Sequence, residues 1–213
     1  MKVGIALSGG VDSAVALYQL LEEGHEVKAY HMKTLKDEFF AKKTIKKKIC
    51  CSPSDTMDAI KIAKKLGVEL EIVDLSDSFK ELIVRRFKDD LLKGLTPNPC
   101  VHCNRLIKFG ILMDRALEDG MKLFASGHFA RIVYSEKYGK KMIAKAKDQK
   151  KDQSYFLALL SPERIDKLVF PNGNSTKEEN RELAERIELH VSAKPESQDV
   201  CFIPDGKIES FLE

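Results

Sequence analysis

Apolar and polar residues alternate along this chain in two rhythms. Short runs at Lys2–Leu7, Glu26–Met32, Glu69–Leu75 and Lys122–Ser126 have the length and the β-branched or aromatic content of strands. Between the first two, Ser13–Glu23 is apolar at 14, 15, 17, 18, 20 and 21, a helical stripe closed by Gly24. Asp55–Leu66, ending at Gly67, reads as a second helix. Ser76–Leu92 reads as a third, with Phe79, Leu82, Ile83, Phe87 and Leu91, and Asn104–Glu118 as a fourth. Strands separated by helices predict right-handed crossovers and an α/β fold: a Rossmann-like parallel sheet with helices on both faces. The rhythm changes near residue 130. Arg131–Lys147 reads as two short strands around Lys137–Lys140, and helical segments follow from Gln153 and Glu178. The expected division is a main domain over 1–130 and a small annex over 131–213.

Composition narrows the class only slightly. A chain of 213 residues with 43% hydrophobic and 32% charged residues buries a sizeable core in one domain plus an annex. The net charge of +3 does not by itself name a nucleic-acid partner, but Lys42–Lys48 holds five lysines in seven residues. That run reads either as a solvated face or as a footprint for a polyanion. No apolar run approaches the ~20 residues of a membrane span. The opening MKVGIALSGG lacks a secretory signal's apolar stretch, so a cytoplasmic protein with no membrane partner is expected.

The stretch SGGVDS, Ser8–Ser13, sits between the first strand and the first helix, where open α/β sheets bind ligands. Gly9 and Gly10 let the backbone approach an anion. Ser8 and Ser13 supply hydroxyls, and the helix beginning near Asp12 offers unpaired N–H groups and a positive dipole end. The loop is neither GxxxxGK[ST] nor GxGxxG. Asp12 is the expected partner of Mg²⁺, a hard cation that prefers carboxylate and phosphate oxygens.

The five cysteines are 50, 51, 100, 103 and 201, an odd number that suits metal-binding, catalytic or buried roles in a reducing compartment. Cys100 and Cys103 form a CxxC in NPCVHCNR, just before a helix, where a thiolate is stabilised. Adjacent Cys50 and Cys51 are poor tetrahedral partners for a zinc site and read as structural or accessory.

Taken in order, SGGVDS, TPNPCVHCNRLIKFG, ASGHFARI, KDQSYFLALL, LVFPNG and KPESQDVCFIP resemble the successive signatures of the tRNA 2-thiouridylase family (MnmA/TrmU), within the PP-loop ATP pyrophosphatases. The resemblance implies that ATP adenylates the C2 oxygen of a tRNA uridine, the wobble base, and that sulfur then replaces it to give 2-thiouridine. It implies ATP contacts at Ala6, Leu7, Ser8, Gly9, Gly10, Asp12, Ser13, Met32, Gly127 and His128. RNA contacts are implied at Asn104, Lys108, Arg131, Gln153 and Ser154, with the annex facing the tRNA and completing the active site. In the family's common form Cys103 carries a persulfide and Cys201 resolves it as a disulfide.

Two departures bear on that picture. Many members carry Asp where this chain has Cys100. The resulting trio of Cys100, Cys103 and Cys201 equally suits a [4Fe–4S] cluster with one open iron for hydrosulfide. Both sulfur routes are carried forward, with a protein persulfide carrier or inorganic sulfide as donor. Members also usually continue into a β-rich region that helps hold tRNA, whereas this sequence stops at Glu213. RNA affinity is therefore expected to lean on other basic surface, Lys42–Lys48 included.

Tyr155 and Phe156 fit either base stacking or core packing. His31 ends the second strand beside Met32, and Ser126 precedes the Gly127–His128 pair. His25, His102 and His190 read as surface or core filler. Two rivals stand beside the tRNA reading. One is an adenylating sulfurtransferase with a small-molecule substrate. The other is a non-catalytic nucleotide- and RNA-binding module, which the three thiols disfavour.

Overall fold

The computed structural model of the chain describes residues 1–36, 52–195, 200–203 and 208–212. The Lys42–Lys48 run and Cys50 and Cys51 lie outside the described residues.

Five parallel strands form the main sheet in the order β3-β2-β1-β4-β7. The chain runs β1 (Lys2–Ala6), α1 (Val11–Glu22), β2 (Glu26–Lys33), α2 (Pro53–Leu66), β3 (Leu70–Asp74) and α3 (Ser76–Phe79). A π-helical turn over Lys80–Arg85 continues α3 into α4 (Arg86–Leu92). Then come α5 (Pro99–Cys103), a second π-helical stretch at Asn104–Leu112, α6 (Met113–Glu118) and β4 (Leu123–Ser126). After an antiparallel hairpin of β5 (Ala130–Ser135) and β6 (Lys140–Lys145), the chain passes through α7 (Pro162–Ile165), β7 (Leu168–Val169), α8 (Lys177–Arg186) and α9 (Ile208–Leu212).

The expected α/β sheet is present, with β1 at its centre. β2 and β3 build outward on one side, and the chain then crosses to β4 on the other. A topological switch point therefore lies at the carboxyl ends of β1 and β4. Two apolar cores cover the sheet. Val3, Ile5 and Leu7 of the first strand and its exit pack with Val15, Leu17 and Leu20 of α1 and Ile62 of α2. The other core gathers Tyr30, Phe79, Phe87, Phe109, Phe124 and Phe202. Each core follows the period-two or 3.6-residue spacing of its elements.

Some elements differ from the sequence reading. The helix expected from Asn104 begins at Pro99, because Pro favours the first helical position and the Asn98 side chain caps it by accepting the Cys100 N–H at 3.1 Å. The segment from Gln153 is only a 3₁₀ turn, Ser154–Leu157. β7, two residues long and drawn from the stretch assigned to the annex, completes the main sheet beside β4, and α8 packs on α1. The division at residue 130 therefore does not coincide with the edge of the sheet.

Candidate active site

The loop after β1 is tied together by its own serines. The Ser13 hydroxyl donates to the Gly10 carbonyl at 3.0 Å and accepts the Ser8 N–H at 3.2 Å, with Ser8 Oγ 3.1 Å away. Ser13 has one proton to give, and it goes to Gly10, so Ser8 donates between the two hydroxyls. Gly9 turns at φ +77°, and a Cβ there would lie 2.1 Å from the Asp55 carbonyl oxygen at the start of α2. Only glycine fits this close approach. Gly127, after β4, is equally constrained, since its Cβ would lie 2.6 Å from the Ser13 nitrogen.

Ala6, Leu7, Ser8, Asp12, Ser13, Met32, Gly127 and His128 line one cavity at the switch point, while Gly9 and Gly10 make the turn beside it. Tyr30, Lys108, Ser126 and Gln153 complete the wall. Lys108 and Gln153, expected at RNA, thus face the same space as the residues expected at ATP. Gln153 also accepts the Phe129 N–H through Oε1 at 3.0 Å, which braces the turn carrying His128.

The other residues expected at RNA are placed differently. Asn104 is buried and donates to the Phe156 carbonyl at 3.4 Å, which ties the π-helical stretch to the 3₁₀ turn. Arg131 is exposed but uses Nε on the Lys145 carbonyl across the hairpin, and Ser154 donates to Asp152. Tyr155 is exposed and meets Phe156 edge-on at 5.4 Å.

Two buried histidines support the cavity from opposite sides. His31 Nδ1 donates to the Leu7 carbonyl at 2.8 Å, so its Nε2 accepts from Thr56 Oγ1 at 2.9 Å. Burial, the largest influence, lowers its pKa, and the neutral ring holds the base of the loop from behind. His128 faces the cavity, with Nδ1 2.7 Å from Ser126 Oγ and its ring against Phe109 and Phe170. Burial, and then the charge of Lys108, hold its pKa well below the usual value. A neutral imidazole beside a lysine leaves Lys108 as the cation of the two.

Several side chains that the sequence did not single out brace the loop. Lys177, at the start of α8 and nearly fully buried, pairs with Asp12 at 2.6 Å. Asn172, within the FPNG stretch, donates to the carbonyls of both Asp12 and Gly127 at 2.9 Å. Lys194 holds the Gly9 carbonyl at 2.8 Å. All three come from the annex. FPNG and KPES stood out as motifs, but nothing in the pattern separated these lysines from solvated ones.

The thiols belong to two distant segments. Cys100 is exposed at the start of α5, whereas Cys103 and Cys201 are half-buried and pack against the same apolar core. Cys201 is held there by its neighbour Phe202, whose ring meets Phe87 at 5.3 Å and Phe79 at 5.8 Å. Among the described residues no three His, Cys, Asp or Glu side chains gather as metal ligands. A single carboxylate such as Asp12 does suit Mg²⁺, which takes one or two carboxylates together with phosphate oxygens.

The family described as the tRNA methyl transferase HUP domain matches residues 1–205. The chain belongs to this family. It is 68% identical over all 213 residues to proteins of Thermotoga petrophila and Thermotoga maritima named tRNA-specific 2-thiouridylase MnmA. It is 47% identical over 213 residues to the protein of that name from Petrotoga mobilis. These relatives carry the name that the motifs resemble. The chain spans 60% of the length of the two Thermotoga relatives and 58% of the third. Among solved structures, a 4-thiouridine synthetase–RNA complex with bound ATP aligns over 95% of this chain and 45% of that one, with a TM-score of 0.59 at 19% identity. The NMN synthetase of Francisella tularensis aligns over 92% of this chain and 66% of that one, with a TM-score of 0.51 at 16% identity. At such identities these two likenesses establish the fold alone. No helix among the described residues is long and apolar enough to cross a membrane.

Proposed function

We propose that the chain carries out ATP-dependent sulfur transfer to a tRNA uridine, giving 2-thiouridine at the wobble position. The observation that carries this reading is the meeting of two stretches at one cavity. The phosphate-type loop supplies Ser8, Asp12 and Ser13, and the helix bearing Cys103 supplies Lys108 five residues further on. The names of the relatives support the same reading.

In the first step the uridine C2 oxygen attacks the α-phosphorus of ATP and pyrophosphate leaves. Backbone N–H groups at the start of α1 and the Lys108 ammonium face the charge that develops there. Mg²⁺ bound with ATP would neutralise phosphate charge, and Asp12, whose Oδ1 pairs with Lys177, would hold it through its other carboxylate oxygen. The buried neutral His128 shields the cavity without adding charge.

In the second step the terminal sulfur of a persulfide on Cys103 attacks C2 and AMP departs, leaving a C2–S–S–Cys103 link. The Cys201 thiolate then attacks Cys103 Sγ. The Cys103–Cys201 disulfide forms, and the bonding pair of the broken S–S bond leaves with the nucleobase sulfur. An external thiol reopens the disulfide and a protein persulfide carrier reloads Cys103. Inorganic sulfide does both, because hydrosulfide attacking the disulfide leaves a persulfide on one cysteine and a thiol on the other. This relay is favoured over a cluster because Cys103 and Cys201 share one apolar core while Cys100 is exposed.

The test is a reaction of the chain, oxidised to its Cys103–Cys201 disulfide, with unmodified tRNA, ATP and sulfide, following AMP, pyrophosphate and the thiolated nucleoside by mass spectrometry. AMP and 2-thiouridine are expected to appear together and only with tRNA. Cys103→Ser and Cys201→Ser are each expected to lower thiolation and AMP release to background while pyrophosphate still forms with the adenylated tRNA. AMP release that needs a small thiol acceptor and no RNA would return the chain to the small-molecule reading. Iron retained after anaerobic purification and lost in each cysteine variant would overturn the relay.

A further inference from the structure

Lys194 lies far along the chain from the loop it touches. Its Nζ reaches three acceptors: the Gly9 carbonyl at 2.8 Å, Asp55 Oδ1 at 2.7 Å and Asp58 Oδ2 at 2.5 Å. An ammonium has three N–H donors, and here each has its own acceptor. The side chain is only 12% exposed, so these contacts are made largely out of water. A charge-assisted hydrogen bond to a carbonyl is strong in such a setting.

The lysine is itself held in place. Its backbone N–H donates to the Val191 carbonyl at 2.9 Å. Arg181 of α8 spans the carbonyls of Ser192 and Lys194 at 3.2 and 3.5 Å. Pro195 follows and restricts Lys194 to extended backbone. The second carboxylate partner, Asp58, also meets His190 at 2.9 Å.

The orientation of one peptide unit gives this clamp a consequence. No described residue has a cis peptide bond, so the Gly9 C=O and the Gly10 N–H point to opposite sides of their shared plane. Fixing the carbonyl on Lys194 fixes the N–H on the other side. Gly9 has left-handed backbone and no Cβ to restrict it, so the partner of its carbonyl sets the tilt of that peptide.

We infer that Lys194 is a positioning residue for the pyrophosphate half of the nucleotide, acting through the Gly9–Gly10 peptide and without touching the ligand. This rests on the reading of the cavity as an ATP site and assigns the loop's aim to a residue outside the loop. Because all three donors are occupied by protein, loss of Lys194 removes loop geometry and not a phosphate contact. The effect is therefore confined to ligands that reach the loop.

Calorimetric titration with magnesium pyrophosphate and, separately, with AMP tests the inference on the wild type, Lys194→Met and Asp58→Asn. Lys194→Met is expected to weaken pyrophosphate binding about tenfold or more, the scale of one lost charged hydrogen bond, and to leave AMP binding within about twofold. Asp58→Asn, which keeps the bond to Gly9, is expected to stay near wild type for both. Should Lys194→Met fail to fold, Lys194→Arg takes its place. It keeps the charge, but a planar fork does not put one N–H on each of three converging acceptors, and the same split is expected. Wild-type pyrophosphate affinity in the Lys194 variant overturns the inference. So does an equal loss of pyrophosphate and AMP, or a pyrophosphate loss in Asp58→Asn as large as in Lys194→Met, since either marks a general brace. If the wild type binds neither ligand, the ATP reading itself falls.

Discussion

The phosphate-type loop and the thiol region lie at the same end of the molecule, yet they are built on opposite plans. Around the loop nearly every degree of freedom is fixed twice. Gly9 and Gly127 pack with no room for a Cβ, Ser13 bonds across the turn, and the annex adds Asn172, Lys177 and Lys194. The thiol region is built on apolar packing instead. Cys201 depends on the packing of Phe202, and Cys100 is exposed. Binding a polyphosphate demands donors already aimed, because every reorganisation costs affinity. Passing sulfur between two cysteines demands thiols that change covalent partner during a turnover. The hydrogen-bonded loop suits the first task, and thiols seated by apolar packing suit the second.

The sharpest way to break this contrast is Phe202→Ala. Phe202 is 3% exposed amid Phe79, Phe87 and Phe211, so truncation is expected to cost about 3–5 kcal/mol of stability in a denaturant titration. Thiolation should fall further than ATP binding. An equal fall in both would show that the two regions are not separable.

Gly127→Ala probes the opposite plan. The added carbon meets the backbone of Ser13 and Asp12, which does not yield as a flexible side chain does. A cost of roughly 3 kcal/mol, high for overpacking, is expected in the same titration. Calorimetry should show ATP affinity lost as well. Unchanged ATP binding would mean that the loop is less rigid than its packing implies.

The mildest test is pH. The pKa values of His31 and His128 are lowered in the folded protein, by burial in both cases. The unfolded chain therefore takes up protons that the folded one refuses as pH falls below about 6.5. Their contribution is intact above that pH and is lost below it, by up to about 1.4 kcal/mol per pH unit for each proton. Denaturant midpoints should fall between pH 7 and 5, and His128→Gln should flatten the slope. A flat wild-type profile would mean that these rings accept protons while folded. Asp119, held at about 2 chiefly by Lys28 and then Tyr30, acts only in more acid solution.

Sequence pattern made the sheet legible because β1 to β4 are apolar runs set between helices with clear stripes. It could not reveal β7, since two residues have no period, nor the π-helical turns, whose apolar spacing over one turn looks α-helical. SGGVDS announced itself through glycine and hydroxyl chemistry that few other structures need. Lys177 stayed hidden because it opens KEENRELAER, which reads as a solvated charged helix until tertiary packing buries its first residue. The bond that Asn104 makes was hidden as well. A polar residue beside a thiol suggests substrate contact, while its amide answers a backbone carbonyl.

Asp55 joins several of these features in one carboxylate. Its Oδ2 accepts from the Ser52 backbone and hydroxyl and so begins α2, while its Oδ1 holds Lys194. Helix initiation and loop aim therefore draw on the same side chain. Substitutions at Ser52, Asp55 and Lys194 do not contribute independently, although the positions are far apart in the chain. A change at one of them therefore alters what the other two hold in place, so one carboxylate sets both where a helix starts and where the loop points.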